Sequence, residues 1–162
     1  MNQGWYAILV RTGSEPIAAQ LLTYRGYDVF LPQYRTRVRL SDRVKVRDSA
    51  LFPGYLFCRV CTDVLGPILS TPSVISIVGF GRVPTPVDDW EIESLRTALS
   101  RQECLPWPFV REGQAVEIRS GALAGGRGLI LRIKGHYKLV LSIKLLQRSV
   151  AIEVGSETVT PV

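Results

Sequence analysis

The residues best suited to metal or redox chemistry in this sequence are Cys58 and Cys61, which form a Cys-x-x-Cys motif. Cysteines at this spacing can bind zinc or carry out thiol–disulfide exchange. A zinc site needs about four ligands, and the other candidates in the chain are only Cys104 and His136. We therefore interpret the motif as apolar thiols on a strand, and we expect neither a metal nor another cofactor.

The glycine-rich segment 120–128 could also do chemistry, because glycine loops can bind phosphate groups. A P-loop also needs a Lys-Ser/Thr pair and a following helix, and the sequence after Gly128 predicts neither. No nucleophile with a neighbouring base and no pair of carboxylates stands out in the sequence. An enzyme is therefore the function class that the sequence favours least.

A basic stretch in the first half of the chain suggests contact with an anionic partner. One acid, Asp42, accompanies six cations, which are Arg35, Arg37, Arg39, Arg43, Lys45 and Arg47. A hairpin that turns near Ser41 and Asp42 would place the cations on one side of each arm, where like charges that face one another repel. This favours contact with a phosphate backbone rather than base readout, since no recognition helix is predicted. The alternative is a solvated hairpin that only aids solubility.

The segment from Leu51 to Phe57 combines Pro53 and Gly54 with large apolar residues. Proline and glycine predict a sharp turn that leads into a strand. Because side chains alternate along a strand, Tyr55 and Phe57 project to the same face and make it aromatic. That face is either part of the core or a binding surface.

Composition indicates a globular chain with room for one medium domain or two small ones. The 162 residues are 46% hydrophobic and carry a net charge of +6. No segment reaches the roughly 20 consecutive apolar residues of a membrane span. The three cysteines make an odd count, which argues against a disulfide framework and suits a reducing compartment. We expect a cytoplasmic protein with no membrane association.

The first part of the chain is predicted to alternate strands with helices. Predicted strands cover residues 5–10, 27–31, 55–60 and 74–80, and predicted helices follow Ser14, cover 63–70 and follow Asp88. The helix after Ser14 presents Ile17, Ala18, Leu21 and Leu22 on one face. Short links between these elements indicate a small antiparallel sheet flanked by helices.

The last part of the chain is predicted to be all β. Five short strands, at 116–118, 129–133, 138–143, 149–154 and 158–162, indicate a small curved barrel. Pro106 and Pro108 predict a semi-extended linker that forms neither helix nor sheet. The sequence therefore predicts an α+β chain with domains at 1–101 and 109–162 and a linker at 102–108.

Several of these segments together resemble the NusG family. The resemblance is carried by Trp5-Tyr6, by Leu51 to Phe57, by 74–81 with Pro86 and an acidic helix after it, and by Gly121, Gly125 and Gly128. It covers nearly the whole chain, and it implies an N-terminal NusG domain linked to a five-stranded, SH3-like KOW barrel. The tracts 31–34 and 76–81 and the short linker look most like the specialised RfaH, LoaP and UpxY group.

The resemblance implies a transcription elongation and antitermination factor that acts as a monomer on RNA polymerase. In this family the N-terminal domain grips the clamp helices of the largest polymerase subunit. By position, this surface would comprise Tyr6, Phe52, Pro53, Tyr55, Phe57, Val78 and Phe80. Upstream or non-template DNA would be contacted by Arg11, Arg35, Arg37, Arg39, Arg43, Lys45 and Arg47. The helix with which relatives of RfaH read a DNA hairpin has no counterpart in 63–70.

The resemblance also implies that the KOW domain recruits either a ribosomal small-subunit protein or the termination factor Rho. The matching residues are Gly121, Leu123, Gly125, Arg127 and Gly128. Since β-branched residues and glycines disfavour a helix there, we expect a constitutive barrel rather than a helical hairpin. The alternatives are a housekeeping NusG-type factor with a role in Rho-dependent termination, and a KOW-containing structural protein that binds RNA or the ribosome.

Overall fold

The computed structural model describes residues 3–101, 104–108, 114–118, 123–124, 126–133, 136–154 and 159–161. The chain divides into two compact units, Met1–Pro86 and Val87–Val162. The first combines helices with antiparallel sheets, and the second combines one long helix with a larger antiparallel sheet. The predicted α+β fold class is therefore confirmed.

The first unit is built around a four-stranded sheet. Its elements are β1 (Gln3–Val10), α1 (Glu15–Tyr24), β2 (Asp28–Phe30), β3 (Gln33–Arg39), β4 (Val44–Ala50), β5 (Tyr55–Cys61), α2 (Gly66–Leu69), β6 (Val74–Ile77), β7 (Gly79–Phe80) and β8 (Val83–Pro84). The strand order is β2-β5-β1-β6, with every neighbour antiparallel. Strands β3 and β4 form a separate two-stranded ribbon, and β7 and β8 form a short hairpin.

The core of the first unit lies on the sheet face that α1 and α2 cover. Alternate residues of β1 and β5, such as Ile8 and Leu56, pack with Leu22 of α1 and Ile68 of α2. Ser14 occupies the N-cap of α1, and Gly26 follows the helix with φ +93°, which explains why glycine closes it. Ile17 was predicted on the buried face and is exposed instead, so the apolar stripe is narrower than the sequence pattern suggested.

Arg25 connects the end of α1 to the short helix α2. Its guanidinium donates to the carbonyl oxygen of Pro67 at 2.6 Å and to the hydroxyl of Thr71 at 3.0 Å. The Thr71 hydroxyl in turn donates to the same Pro67 oxygen at 2.9 Å. These contacts fix α2 although it has only four residues.

The second unit begins with a helix and continues as a six-stranded sheet. Its elements are α3 (Asp89–Arg101), β9 (Leu105–Trp107), β10 (Gln114–Ile118), β11 (Arg127–Ile133), β12 (His136–Ile143), a 3-10 turn (Lys144–Leu146), β13 (Arg148–Val154) and β14 (Val159–Pro161). The order is β14-β10-β11-β12-β13-β9. Five of these strands match the five predicted ones.

The sixth strand, β9, lies within the predicted linker. Leu105, Pro106 and Trp107 pair with β13, so the prediction that this stretch avoids sheet structure was wrong. Proline is tolerated because β9 is an edge strand, where one side of the backbone needs no partner. The ammonium of Lys138 lies 5.1 Å from the centre of the Trp107 ring and adds a cation–π contact.

Helix α3 packs on the sheet of the second unit. The backbone N–H of Lys144 donates to the Glu91 carboxylate at 2.8 Å, and that of Arg127 donates to the Ser94 hydroxyl at 3.1 Å. Ile92 and Leu95, on the same helix, are fully buried. The compact second unit therefore starts before α3, while the division into domains at 1–101 and 109–162 stays a prediction.

Candidate functional site

The turn before β5 holds the aromatic segment in a defined position. Gly54 has φ +86°, a conformation that side chains disfavour, and its carbonyl oxygen accepts the Val10 N–H at 2.8 Å. The Tyr55 N–H donates to the Phe52 oxygen at 2.9 Å and closes the turn. The Glu15 carboxylate accepts the Gly54 N–H at 3.3 Å, so the start of α1 supports the same turn.

The aromatic residues around β5 divide into a buried support and an accessible edge. Phe57 is fully buried, and its ring centre lies 6.1 Å from that of Phe30 and 5.8 Å from that of Phe52. The edge-to-face contact with Phe52 is one that aromatic rings favour. Tyr55 is half-buried and Pro53 is exposed. Of the aromatic residues predicted for this surface around β5, Tyr55 is therefore accessible, whereas Phe52 and Phe57 are buried beneath it.

Tyr6 does not lie with Tyr55 in the structure. It pairs with Cys58, points to the helix-covered face, and is 3% exposed within the core. Leu9 pairs with Tyr55 instead, lies on the same face, and is half-buried. Leu9 is thus a surface residue that sequence reasoning missed. Tyr6 was taken from its matching position in the family, and the strand register that pairs Leu9 with Tyr55 was not predictable from the sequence.

The hairpin of β7 and β8 presents an exposed phenylalanine. The Val78 N–H donates to the Ala7 oxygen at 2.9 Å, so this hairpin starts beside β1. Phe80 is 74% exposed and pairs with Val83, which is 68% exposed. A Cβ at Gly79 would collide with the Val83 carbonyl oxygen, so glycine is required for the tight approach of the two strands. Large exposed apolar side chains of this kind are typical of interaction surfaces.

The cationic ribbon, which we define as residues 33–50, forms the hairpin that the sequence predicted. Its register places the two sets of cations on opposite faces, since Arg37 pairs with Val46 and Lys45 pairs with Val38. Within the ribbon, all of which the structure describes, no cation faces another, and Arg35 faces Asp48. The expected repulsion between facing cations was therefore wrong. The cations Arg35, Arg37, Arg39, Arg43, Lys45 and Arg47 are all exposed.

Arg11 lies apart from the ribbon, at the end of β1. Its side chain is exposed, and its backbone N–H donates to the Ser73 oxygen at 3.0 Å. The ribbon leaves the four-stranded sheet at its base, where the Leu51 N–H donates to the Pro32 oxygen at 2.9 Å. These backbone hydrogen bonds fix the position of Arg11 at the end of β1 and the position of the base of the ribbon beside the four-stranded sheet.

The two cysteines of the Cys-x-x-Cys motif occupy different environments on β5. Cys58 is buried in the core, and burial raises the pKa of its thiol to about 12, with a further contribution from Asp28. Cys61 is partly exposed and lies at the strand end. Residues three apart on a strand point to opposite faces, so these thiols are poorly placed to share a metal ion. In the described ranges, His, Cys, Asp and Glu side chains form no group that could hold one.

The candidate residues of the second unit lie near the start of β11. Leu123 is half-buried, Arg127 is exposed, and Gly121 and Gly125 lie outside the described residues. A Cβ at Gly128 would collide with the carbonyl oxygen of Val140 on β12. Close strand approach is therefore a sufficient reason for this glycine.

Comparison with known proteins identifies the family of the chain. The model of the NusG family, described as transcription termination factor nusG, matches residues 3–96, which is more than half of the chain. This chain belongs to the NusG family. It is therefore a member of a family of transcription factors rather than of enzymes.

Similarity to individual NusG proteins extends through both units. The chain is 25% identical to the transcription termination/antitermination protein NusG of Helicobacter pylori over 93% of each chain. It is 26% identical to the protein of the same name from Streptococcus pyogenes, over 99% of this chain and 93% of the relative. A solved structure of Thermotoga maritima NusG matches 100% of this chain and 98% of its own, with a TM-score of 0.60 and 21% identity. That likeness supports the NusG fold.

Among the helices that the structure describes, none has the length and apolar character to cross a bilayer. The resemblance to the specialised RfaH, LoaP and UpxY group stays a prediction.

Proposed function

We propose that this chain is a transcription elongation and antitermination factor that binds RNA polymerase and reduces pausing or termination. The observation that carries the proposal is the accessible apolar surface beside the Phe-Pro-Gly-Tyr turn, in a chain of the NusG family. We call it the Tyr55 surface and define it by Leu9, Pro53, Tyr55, Val78 and Phe80. Its partner is the pair of clamp helices in the largest polymerase subunit.

The Tyr55 surface has the physical properties of a helix-binding site. Aromatic side chains on a rigid support dominate the binding energy of many interfaces, because they bury a large area with little loss of conformational freedom. Phe52 and Phe57 provide that support from below the surface. Tyr6 would act through the core rather than by contact, because it is buried on the opposite face.

Nucleic acid is the second proposed partner. The cationic ribbon and Arg11 carry exposed positive charge, which favours contact with the phosphates of upstream or non-template DNA. Phosphate contacts hold and orient a protein without specifying sequence. These residues would therefore strengthen attachment to the transcription complex rather than select a promoter or operon.

The second unit is proposed to recruit a ribosomal small-subunit protein or the termination factor Rho. Leu123 and Arg127, at the start of β11, combine an apolar and a cationic side chain near one loop. Gly128 would contribute by allowing β11 and β12 to approach closely. Such recruitment would link polymerase to translation or to termination.

Polymerase binding is tested with Tyr55→Ala in the full-length chain. Labelled protein is titrated with RNA polymerase core enzyme, and urea unfolding checks the fold. Loss of an aromatic hot spot should weaken binding by about 2 kcal/mol, or roughly 30-fold. Tyr24→Ala is the matched control, since Tyr24 is 91% exposed on α1 and lies outside the Tyr55 surface. Equal affinities for wild type and Tyr55→Ala would refute this interface.

A further inference from the structure

We propose that the cationic ribbon lies lengthwise in the major groove of duplex DNA and contacts the phosphates of both strands, one from each face. This inference rests on the proposed function, which brings the chain to the DNA beside polymerase. It specifies the kind of nucleic acid and the way in which it is held. The evidence is the strand register, the spacing of the charges, and the thickness of the ribbon.

The register gives the ribbon two cationic faces. Arg35, Arg37 and Arg39 share a face with Val44, Val46 and Asp48, because these residues pair across the ribbon. Lys45 and Arg47 lie on the other face opposite Val38 and Thr36, and by alternation Arg43 joins them. Each face therefore carries three cations. If the ribbon lay with one face against the phosphates of a single DNA strand, the three cations on its other face would contact no phosphate.

The spacing of the charges fits a phosphate backbone. Successive cations on an arm are two residues apart, which is roughly 6.7 Å along a strand. Phosphates on one DNA strand advance about 3.4 Å each along the helix axis. The three cations of an arm span roughly 13 Å, so they can meet every second phosphate over about four base pairs without bending the ribbon.

The thickness of the ribbon selects the groove. A sheet with side chains on both faces occupies about 10 Å, which is the distance at which sheets stack. The major groove of B-form DNA is about 12 Å wide and the minor groove about 6 Å, so the ribbon fits only the former. The acidic Asp42 stands at the exposed tip, where it would approach the DNA first if the hairpin entered end-on. A lengthwise orientation avoids that repulsion.

Duplex DNA fits the ribbon better than single strands or duplex RNA. Proteins that hold single strands stack bases on several aromatic side chains, whereas residues 33–50 include one aromatic, Tyr34, and it is half-buried. The major groove of A-form RNA is too narrow and deep for side chains to enter. B-form DNA offers both charge and space.

The test compares two full-length variants that each lose three charges. One carries Arg35→Gln, Arg37→Gln and Arg39→Gln, the other Arg43→Gln, Lys45→Gln and Arg47→Gln, and a third combines all six changes. Binding to a labelled duplex of about two helical turns is measured over a range of salt concentrations. Since each phosphate contact contributes about 0.9 to the salt slope, each triple variant should lower it by about 2 to 3 and the six-fold variant by nearly the sum.

Groove entry is tested with a duplex whose cytosines carry glucosylated hydroxymethyl groups, which fill the major groove and leave the phosphates unchanged. Wild-type affinity should fall at least about tenfold on that duplex. It should also be lower for the matching single strand and for duplex RNA.

Other results would overturn the proposal in distinct ways. If one triple variant accounts for the whole salt slope, the ribbon contacts DNA from one face only. Equal affinity for the glucosylated duplex would place the ribbon outside the major groove. An unchanged slope in the six-fold variant would show that the ribbon does not contact DNA at all. Polymerase affinity of the same variants is measured in parallel, so loss of DNA contact with intact polymerase binding leaves the proposed function standing.

Discussion

Glu91 shows how one buried residue couples pH to stability. The residue is 3% exposed, and its carboxylate accepts the Lys144 N–H. Burial raises the pKa of this carboxylate against the opposing effect of that hydrogen bond. A raised pKa means that the folded protein holds the proton more tightly than the unfolded chain. This stabilisation is complete below the ordinary pKa of 4.5 and is lost as the pH rises through the raised value.

We therefore expect Glu91→Gln to be more stable than wild type at neutral pH, because glutamine keeps an oxygen for the Lys144 N–H and carries no charge. The difference should shrink below pH 4.5. Urea unfolding of the full-length chain at both pH values measures it. Glu93→Gln is the control, since Glu93 is exposed and pairs weakly with Arg96. A difference that does not change with pH would contradict this account of Glu91.

Which residues share a face was only partly predictable from the sequence. Alternation along β5 correctly placed Tyr55 and Phe57 together, because that rule is local. Which residues of β1 join them depends on the pairing between strands, and a shift of one residue exchanges the faces. Tyr6 was taken from its matching position in the family, and Leu9 was missed because this pairing is not predictable from the sequence. The pairing between strands also decides which side chains face one another across the ribbon. That is why cations on the two arms were wrongly expected to face one another.

The contribution of the short β7–β8 hairpin to the Tyr55 surface can be tested by displacing the hairpin. Gly79→Ala would force a Cβ against the Val83 oxygen and displace the hairpin that carries Phe80. We expect a loss of about 1–3 kcal/mol in stability, as for other overpacked sites, together with weaker polymerase binding. Thermal unfolding and polymerase titration measure the two effects.

Gly66→Ala is the matched control for that experiment, because an added Cβ there has no heavy atom within 4 Å. It should bind polymerase as wild type does. If Gly79→Ala also binds normally while remaining folded, Phe80 does not belong to the Tyr55 surface.

Elements were predictable where local chemistry decides them. The helix after Ser14 and the strands of the second unit appear close to their predicted positions, because apolar periodicity and β-branched runs act locally, although the Ser14 side chain makes no capping hydrogen bond. The strand β9 was missed because prolines argue against sheets in general, and the exception depends on a free edge. That edge exists only once the other strands have paired.

At the scale of the whole molecule, the sequence predicted the α+β class and a β-rich C-terminal part, and both are confirmed. The position of α3 was harder to predict. Its apolar stripe and acidic first turn specify a helix but not the surface that covers it. Its bonds to Lys144 and Arg127 involve residues far along the chain, which no local pattern reveals.

The most direct test of the central claim is the lifetime of a defined pause in a purified transcription system. Full-length protein at saturating concentration should shorten the pause, because the proposed binding to the clamp helices would disfavour the paused state. Tyr24→Ala should act as wild type does, and Tyr55→Ala should need a roughly 30-fold higher concentration to shorten the pause to the same extent. An unchanged pause lifetime with bound, folded wild-type protein would contradict the claim that this chain is an elongation factor.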